Sequence, residues 1–155
     1  MSHLYDLFQY NQWANSLALA ETDQMSVEAL DAPMPELGGS TLELLSHLER
    51  VQANFLGLLS GTGRPPRADG RPYQDVAAAL RESDEAYLAA LPGFEARIAE
   101  RIEVAWFERS FTVEQALLQV ATHSVQHRAG ISAGIARAGR KPADLDYIIW
   151  LAKVR

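Results

Sequence analysis

The sequence predicts an all-α protein: an antiparallel four-helix bundle with a short C-terminal helix and a small strand or hairpin near residues 98–107. Three observations support this fold. Apolar residues recur at intervals of three and four along four long segments, as on the buried face of a helix. Helix-forming Ala, Leu and Glu are frequent, whereas Gly and Pro concentrate in a few places. The connections of about 8 to 20 residues suit antiparallel neighbours, and we expect one domain over residues 1–155.

The first predicted helix covers residues 2–22. Its inner face combines leucines and a phenylalanine with two asparagines, Asn11 and Asn15. Amide side chains on an otherwise apolar face either bond to other buried polar groups or line a pocket. Both alternatives are open for this pair.

A second helix follows a connection rich in proline and glycine at residues 31–39. Ser40 or Thr41 caps this helix, and Glu43 is placed to complete a capping box if Ser40 is the N-cap. The apolar stripe that follows includes His47, at helical spacing from the apolar residues before and after it. His47 therefore faces inward or nearly so.

The clearest loop covers residues 61–72, with three glycines and three prolines. The loop is also basic, and its three arginines are Arg64, Arg67 and Arg71. A third helix begins near Tyr73 and ends around residues 92–93.

Residues 94–110 allow two interpretations. Ile102, Val104 and Trp106 alternate with polar or small residues, which predicts a short strand or one arm of a hairpin. Residues 95–102 are equally compatible with a helix.

The fourth long helix begins after Thr112, which is a suitable N-cap. Its apolar stripe includes His123 and His127, and Gly139 ends it. Residues 144–154 can form a short last helix whose apolar side chains pack inward.

Charge and cysteine content exclude several classes of function. The net charge of −6 offers no basic field for a phosphate backbone, so we expect no nucleic-acid partner. Without cysteine there is no disulfide, thiolate ligand or cysteine nucleophile, which leaves His, Asp and Glu as metal ligands. We see neither a signal peptide nor an apolar run of about 18 residues, so we expect a cytoplasmic protein without a membrane partner.

Three histidines carry the main functional hypothesis. His123 and His127 are one helical turn apart, with Cβ atoms about 6 Å apart, so both imidazoles can hold one metal ion. His47 can point into the same interior, and three imidazoles with open coordination positions describe a site that activates a ligand. The alternative to a metal ligand is a structural histidine that is hydrogen-bonded in the core, and this alternative is strongest for His47 considered alone. Two adjacent buried imidazoles need a partner for their polar nitrogens.

Four motifs, in order along essentially the whole chain, resemble those of the DinB/YfiT-like family, within the bacillithiol/mycothiol transferase-like superfamily. YNQWAN at residues 10–15 resembles the YNxWAN opening of that family. LLSHL at residues 44–48 resembles its second-helix histidine segment. HSVQHR at residues 123–128 resembles its HxxxHR signature, and GRKPADL at residues 139–145 resembles its GxxPxDL tail.

The resemblance implies a DinB-like bundle in which His47, His123 and His127 hold a divalent transition metal. Zinc is the first expectation, with nickel, iron and manganese as alternatives, because imidazole suits several of these ions. The resemblance also implies a reaction. This is either transfer of a low-molecular-weight thiol, such as bacillithiol or mycothiol, to an electrophilic small molecule, or metal-dependent hydrolysis. The absence of cysteine fits a supplied thiol. Members of the family often pair, so a homodimer is compatible with the sequence.

One position departs from the family pattern. The family usually continues HRGQI, whereas this chain has Gly130 where the glutamine stands. If that glutamine positions a substrate or a ligand, activity is altered or lost here. A second hypothesis is therefore a stress-related bundle protein that binds metal or a small ligand without turnover. A third is an interaction module with core histidines and a dimerising helix face.

Further residues are candidates for supporting roles. Glu43, one turn before His47, can orient the other ring nitrogen of that histidine or simply complete the capping box. Asn11 and Asn15 can bind substrate or join helices. Arg128 can pair with an anionic substrate or with a neighbouring helix. The loop arginines can bind the carboxylates of an acidic thiol or form a solvated surface.

Overall fold

The computed structural model describes residues 2–154 and contains four long helices packed as a bundle. In chain order the elements are α1 (His3–Thr22), α2 (Val27–Asp31), α3 (Thr41–Leu59), α4 (Tyr73–Glu95), β1 (Arg101–Val104), β2 (Arg109–Thr112), α5 (Val113–Arg137) and α6 (Tyr147–Lys153). Helices α1 and α3 each pack against α4 and α5, and so occupy opposite corners of the bundle. The predicted all-α four-helix bundle with a short C-terminal helix is confirmed.

The connection at residues 60–72 sets the helix directions. One apolar cluster joins Leu19, near the end of α1, to Leu44 and Val76, near the beginnings of α3 and α4. Helices α3 and α4 therefore run in the same direction, whereas the sequence predicts that neighbouring helices are antiparallel. The chain between them returns along the length of the bundle. The pairs α1–α4 and α3–α5 are antiparallel. This crossover lays the basic loop beside α3, where it contributes to the functional site.

The predicted helix caps at Ser40 and Thr112 are both present. The Ser40 hydroxyl accepts from the Glu43 amide, and the Glu43 carboxylate accepts from the Ser40 amide at 2.6 Å. Thr112 and Gln115 make the same reciprocal pair at the beginning of α5. Each box satisfies two amides that a helix N-terminus leaves free, and so fixes where α3 and α5 begin.

The structure differs from the sequence expectations at the shortest elements. Helix α2 was not predicted, because five residues are too few to show a helical repeat; its signal is local, a Ser26 hydroxyl that accepts from the Ala29 amide. Helix α4 continues through Pro92 to Glu95, since a proline in the last turn removes only one hydrogen bond before the helix ends. Helix α6 begins at Tyr147 rather than at residue 144.

The predicted hairpin is present and longer than expected. Strands β1 and β2 pair antiparallel, with Ile102 opposite Phe111. Trp106 lies in the tight turn between them rather than in a strand, and its ring packs edge-on against Phe55 with centroids 5.7 Å apart. The alternative of a helix through residues 95–102 is wrong, because α4 ends at Glu95.

Two further apolar clusters complete the interior. A second cluster, at the other end of the bundle, contains Phe8, Tyr87 and Leu117. Trp150 of α6 packs with Tyr10 on the outer side of α1. Within residues 2–154, no helix combines the length and the apolar character needed to cross a membrane.

Glycines allow α3 and α5 to approach closely. A Cβ atom at Gly130 would lie 2.9 Å from Cδ1 of Leu44, and one at Gly134 would overlap Oγ1 of Thr41. Leu44 can adjust through its flexible end, whereas Thr41 is buried at the beginning of α3. Gly134 is therefore the tighter of the two contacts.

We predict that Gly134→Ala lowers the free energy of unfolding by about 1–2 kcal/mol, because overpacking against Thr41 outweighs the gain of about 1 kcal/mol in helix propensity. Gly93→Ala is the matched control, since a Cβ there meets no atom within 4 Å and the residue is exposed. It should stabilise the protein by about 0.5–1 kcal/mol. Urea denaturation monitored by circular dichroism measures both values. Equal stabilisation by both variants would contradict the close approach.

Candidate metal centre

Three histidines from two helices meet where α3 packs against α5. His47 lies in α3, and His123 and His127 lie one turn apart in α5. One ring nitrogen of each can be chosen so that all three atoms lie within 4.8 Å of one another. The ring centroids are 4.3 to 5.0 Å apart, and Nε2 of His47 is 3.1 Å from Nε2 of His123. The three side chains therefore converge on a common point.

The antiparallel register of α3 and α5 brings these side chains together. Leu44 of α3 lies against Gly130 of α5. His47 is three residues after Leu44, and His127 is three residues before Gly130, so in this antiparallel pair the two histidines lie opposite each other. His123 and His127 are half-buried at the edge of the α5 stripe rather than at its centre. Ser124, also in α5, is fully buried. The histidines therefore combine a fixed position with access from outside the core.

A chain of hydrogen bonds defines the protonation of the cluster. The Arg50 guanidinium is 3.1 Å from Nδ1 of His47, and an arginine can only donate, so this nitrogen accepts. A neutral His47 then carries its proton on Nε2 and donates to Nε2 of His123. His123 in turn carries its proton on Nδ1, which is buried and has no hydrogen-bond partner among residues 2–154.

Burial keeps all three imidazoles neutral. Burial, together with the charges that His127 and His47 would carry, lowers the pKa of His123 to about 4. Burial likewise lowers the pKa of His47, with contributions from His127 and Arg50, and lowers the pKa of His127. Neutral imidazole is the form that binds a metal ion, so the cluster can bind a metal at neutral pH without first losing a positive charge.

A divalent metal fits this set of donors. Two nitrogens bound to one ion at about 2.1 Å lie about 3.0 to 3.4 Å apart, and the separation of 3.1 Å between His47 and His123 falls within this interval. Three imidazoles suit zinc, nickel and iron, and they leave coordination positions for water or substrate.

The polar residues predicted near the site form a buried network instead of lining an opening. Arg128, with 2% of its surface exposed, donates through one terminal nitrogen to the amide oxygens of Asn11 and Asn15, each at 2.7 Å. The Asn15 amide then donates to both carboxylate oxygens of Asp84 at 3.0 Å. Gln52 donates to the same carboxylate. Substrate contact by Asn11, Asn15 and Arg128 stays a prediction; their contacts within the chain join four helices.

Glu43 completes the capping box and does not orient His47, which is the second of the two roles expected for it. Its carboxylate accepts from the Ser40 amide and completes the capping box of α3. The outer nitrogen of His47 is contacted by Arg50, not by a carboxylate.

Sequence reasoning missed Asp84 and Gln52, the two central members of the network. Asp84 lies at helical spacing between Leu80 and Tyr87 on the apolar face of α4, and that position is the signal that could have revealed it. Burial raises the pKa of Asp84 to about 6, although hydrogen bonds from Asn15 and Gln52 oppose the shift.

A cavity of about 770 Å³ opens beside two of the histidines. Its walls include His47 and His127, the adjoining part of α3 and residues 64–71 of the crossover loop. A small molecule that enters this cavity can reach the histidine cluster. The volume lies in the range typical of small-molecule sites.

Comparisons with known proteins identify relatives in sequence and in fold. The sequence model described as the DinB family matches residues 1–153. The crystal structure of a DinB-like protein from Bacillus cereus ATCC 10987 is similar to this chain with a TM-score of 0.67 and 14% sequence identity, covering 89% of this chain and 94% of that one. At this identity the structural likeness concerns the fold alone. No protein of curated function matches the sequence.

We predict that His127→Ala and His47→Ala each weaken zinc binding more than 100-fold, because loss of a partner outside the coordination sphere already costs about 10- to 100-fold. His3→Ala is the control, since His3 is exposed in the first turn of α1. Competition titration with a chromophoric chelator, on protein made without a histidine tag, gives the three affinities. Parent-like binding by either cluster variant would rule out the shared ion.

We also predict that Arg50→Gln strengthens zinc binding about tenfold. If Nε2 of His47 binds the metal, Nδ1 must carry the proton, and Arg50 cannot accept it. Glutamine removes a nearby positive charge and supplies an oxygen that can accept that proton. Arg67→Gln removes an equal charge from the same cavity without touching a histidine. Equal effects of the two variants would show that only overall charge matters.

Proposed function

The chain belongs to the DinB family, and from this premise we propose that it is a metal-dependent enzyme that transfers a low-molecular-weight thiol to an electrophilic small molecule. The observation that supports this most is the convergence of three neutral imidazoles at the wall of a cavity large enough for a small substrate. A structural metal site is closed by its fourth protein ligand, whereas three histidines leave room for a reactant.

His47, His123 and His127 would hold the ion, with zinc as the first choice and nickel, iron or manganese as alternatives. When bound, such an ion lowers the pKa of a coordinated thiol and so supplies a nucleophile near neutral pH. In the transfer, the thiol sulfur forms a bond to the electrophilic carbon. The bond from that carbon to its leaving group breaks, the leaving group keeps the electron pair, and the thiol proton passes to solvent.

The residues around the cluster would set up this reaction. The half-buried positions of His47 and His127 keep these imidazoles neutral while one side of each stays open to the cavity. The chain has no cysteine, so the thiol has to be supplied as a co-substrate. Bacillithiol and mycothiol are examples of the thiol class, which belongs to a reducing cytoplasm. A homodimer is compatible with this proposal and is not required by it.

Binding without turnover is the second candidate, and Gly130 is the observation that favours it. This position lies on α5 three residues after His127, where the family usually has glutamine. A side chain here would press on Leu44. The chain therefore lacks the polar side chain that the family usually has at this position, and with it a contact that substrate conversion could need. Metal-dependent hydrolysis is the other reaction that the same three histidines could support.

We predict that zinc-loaded protein accelerates conjugation of 1-chloro-2,4-dinitrobenzene by at least one low-molecular-weight thiol at least tenfold above the spontaneous rate. Removal of the metal with a chelator should abolish the acceleration, and added zinc should restore it. His123→Ala should be inactive, and His3→Ala should match the parent. Absorbance of the thioether product measures the rate.

A panel of neutral and acidic thiols, tested with zinc, nickel, iron and manganese in turn, keeps this test decisive. If metal is bound but no combination exceeds the spontaneous rate, the transferase proposal fails and binding without turnover is favoured.

A further inference from the structure

The cavity beside the histidines is locally basic in an acidic protein. The whole chain carries a net charge of −6, yet four arginines and three carboxylates line this one cavity. The four arginines are Arg50, Arg64, Arg67 and Arg71. Three of them come from the crossover loop, which lines the cavity together with α3.

The carboxylates of the cavity are already engaged. Glu49 accepts from Arg71 at 2.8 Å. Asp69 is shared, at 2.8 Å from Arg67 and 3.9 Å from Arg50. The third carboxylate belongs to Glu43 and is bonded to the amide at the beginning of α3. Positive charge in the cavity therefore exceeds the carboxylate charge available to neutralise it.

Arg64 is the arginine of this group with no carboxylate partner among residues 2–154. Its guanidinium instead stacks on the ring of Trp106 in the hairpin turn, 4.4 Å from the ring centroid. A guanidinium that lies over an aromatic ring is attracted to the ring and can still donate N–H groups to another partner. Its fork of donors matches the two oxygens of a carboxylate.

We propose that Arg64 anchors a carboxylate of the small molecule that enters this cavity, so that the ligand class is a carboxylate-bearing thiol rather than a neutral one. The assignment of a thiol rests on the function proposed above; the assignment of an anion site rests on the arginines alone. A ligand held at one end by Arg64 would present its other end toward His47 and His127, which lie in the wall of the same cavity.

Two features make a small carboxylate a better occupant than a polyanion. The excess positive charge is confined to a single cavity, whereas nucleic acid requires an extended basic surface. The cavity volume of about 770 Å³ is that of a small-molecule site.

The experiment separates the anion site from the metal site by using two forms of the full-length chain. Metal-free protein is titrated with succinate by NMR, which tolerates weak affinities. Metal-free and zinc-loaded protein are then each titrated with mercaptosuccinate and with 1-thioglycerol, a neutral thiol of similar size. Both titrations are repeated on Arg64→Gln and on the control Arg109→Gln, which removes an exposed charge in β2, away from the cavity. Circular dichroism verifies that each variant is folded.

We expect Arg64→Gln to weaken succinate binding to the metal-free protein about tenfold, the typical effect of losing a charged hydrogen bond, and Arg109→Gln to change it less than twofold. In the zinc-loaded parent, mercaptosuccinate should bind at least tenfold more tightly than 1-thioglycerol, and Arg64→Gln should remove most of that preference.

The anion site is overturned if the parent does not bind succinate, or if Arg64→Gln binds it as well as the parent. It is also overturned if Arg109→Gln weakens binding equally, since that shows general charge attraction. If succinate binding behaves as expected but zinc brings no gain for either thiol, the anion site stands and the thiol-transfer function fails.

Discussion

The buried guanidinium of Arg128 is the constraint on which the bundle depends. A positive charge with 2% exposure must be compensated inside the protein, because an unpaired buried charge costs several kcal/mol. Here the compensation is indirect: the oxygens of Asn11 and Asn15 accept from Arg128, and their amide nitrogens donate to Asp84. The network joins α1, α4 and α5, and Gln52 adds α3. A rotation of any one helix would leave polar atoms unpaired.

This network also determines where the histidines point. Arg128 turns toward the centre of the bundle, so the neighbouring His127, about 100° around the helix, turns toward α3. His123 lies one turn before it on the same side, and His47 meets both from α3. Ser124 links the two features, since its hydroxyl donates to Gln52, the residue that also binds Asp84. The fixed core and the open cluster are therefore two faces of one helix.

The sequence predicts those parts of the molecule that have a local signal. The caps at Ser40 and Thr112 are determined by a few adjacent residues, and the spacing of His123 and His127 brings them onto one face of a helix whatever the rest of the fold does. By contrast, the direction of α4 depends on the path of the crossover loop, which no short motif encodes. The role of Asp84 depends on partners far away in sequence, so an isolated acidic residue in α4 gives little indication of it.

The four arginines of the cavity and the histidine cluster favour ligands of opposite charge. Arginines near a cation site disfavour a lone divalent ion, because like charges repel across a partly buried and weakly screened space. The same arginines favour an ion that arrives with, or soon acquires, an anionic partner. Because the three imidazoles already converge and are neutral, little ordering would be needed for a metal ion to bind. The proposed pairing of a metal ion with an acidic ligand follows from this combination of charges.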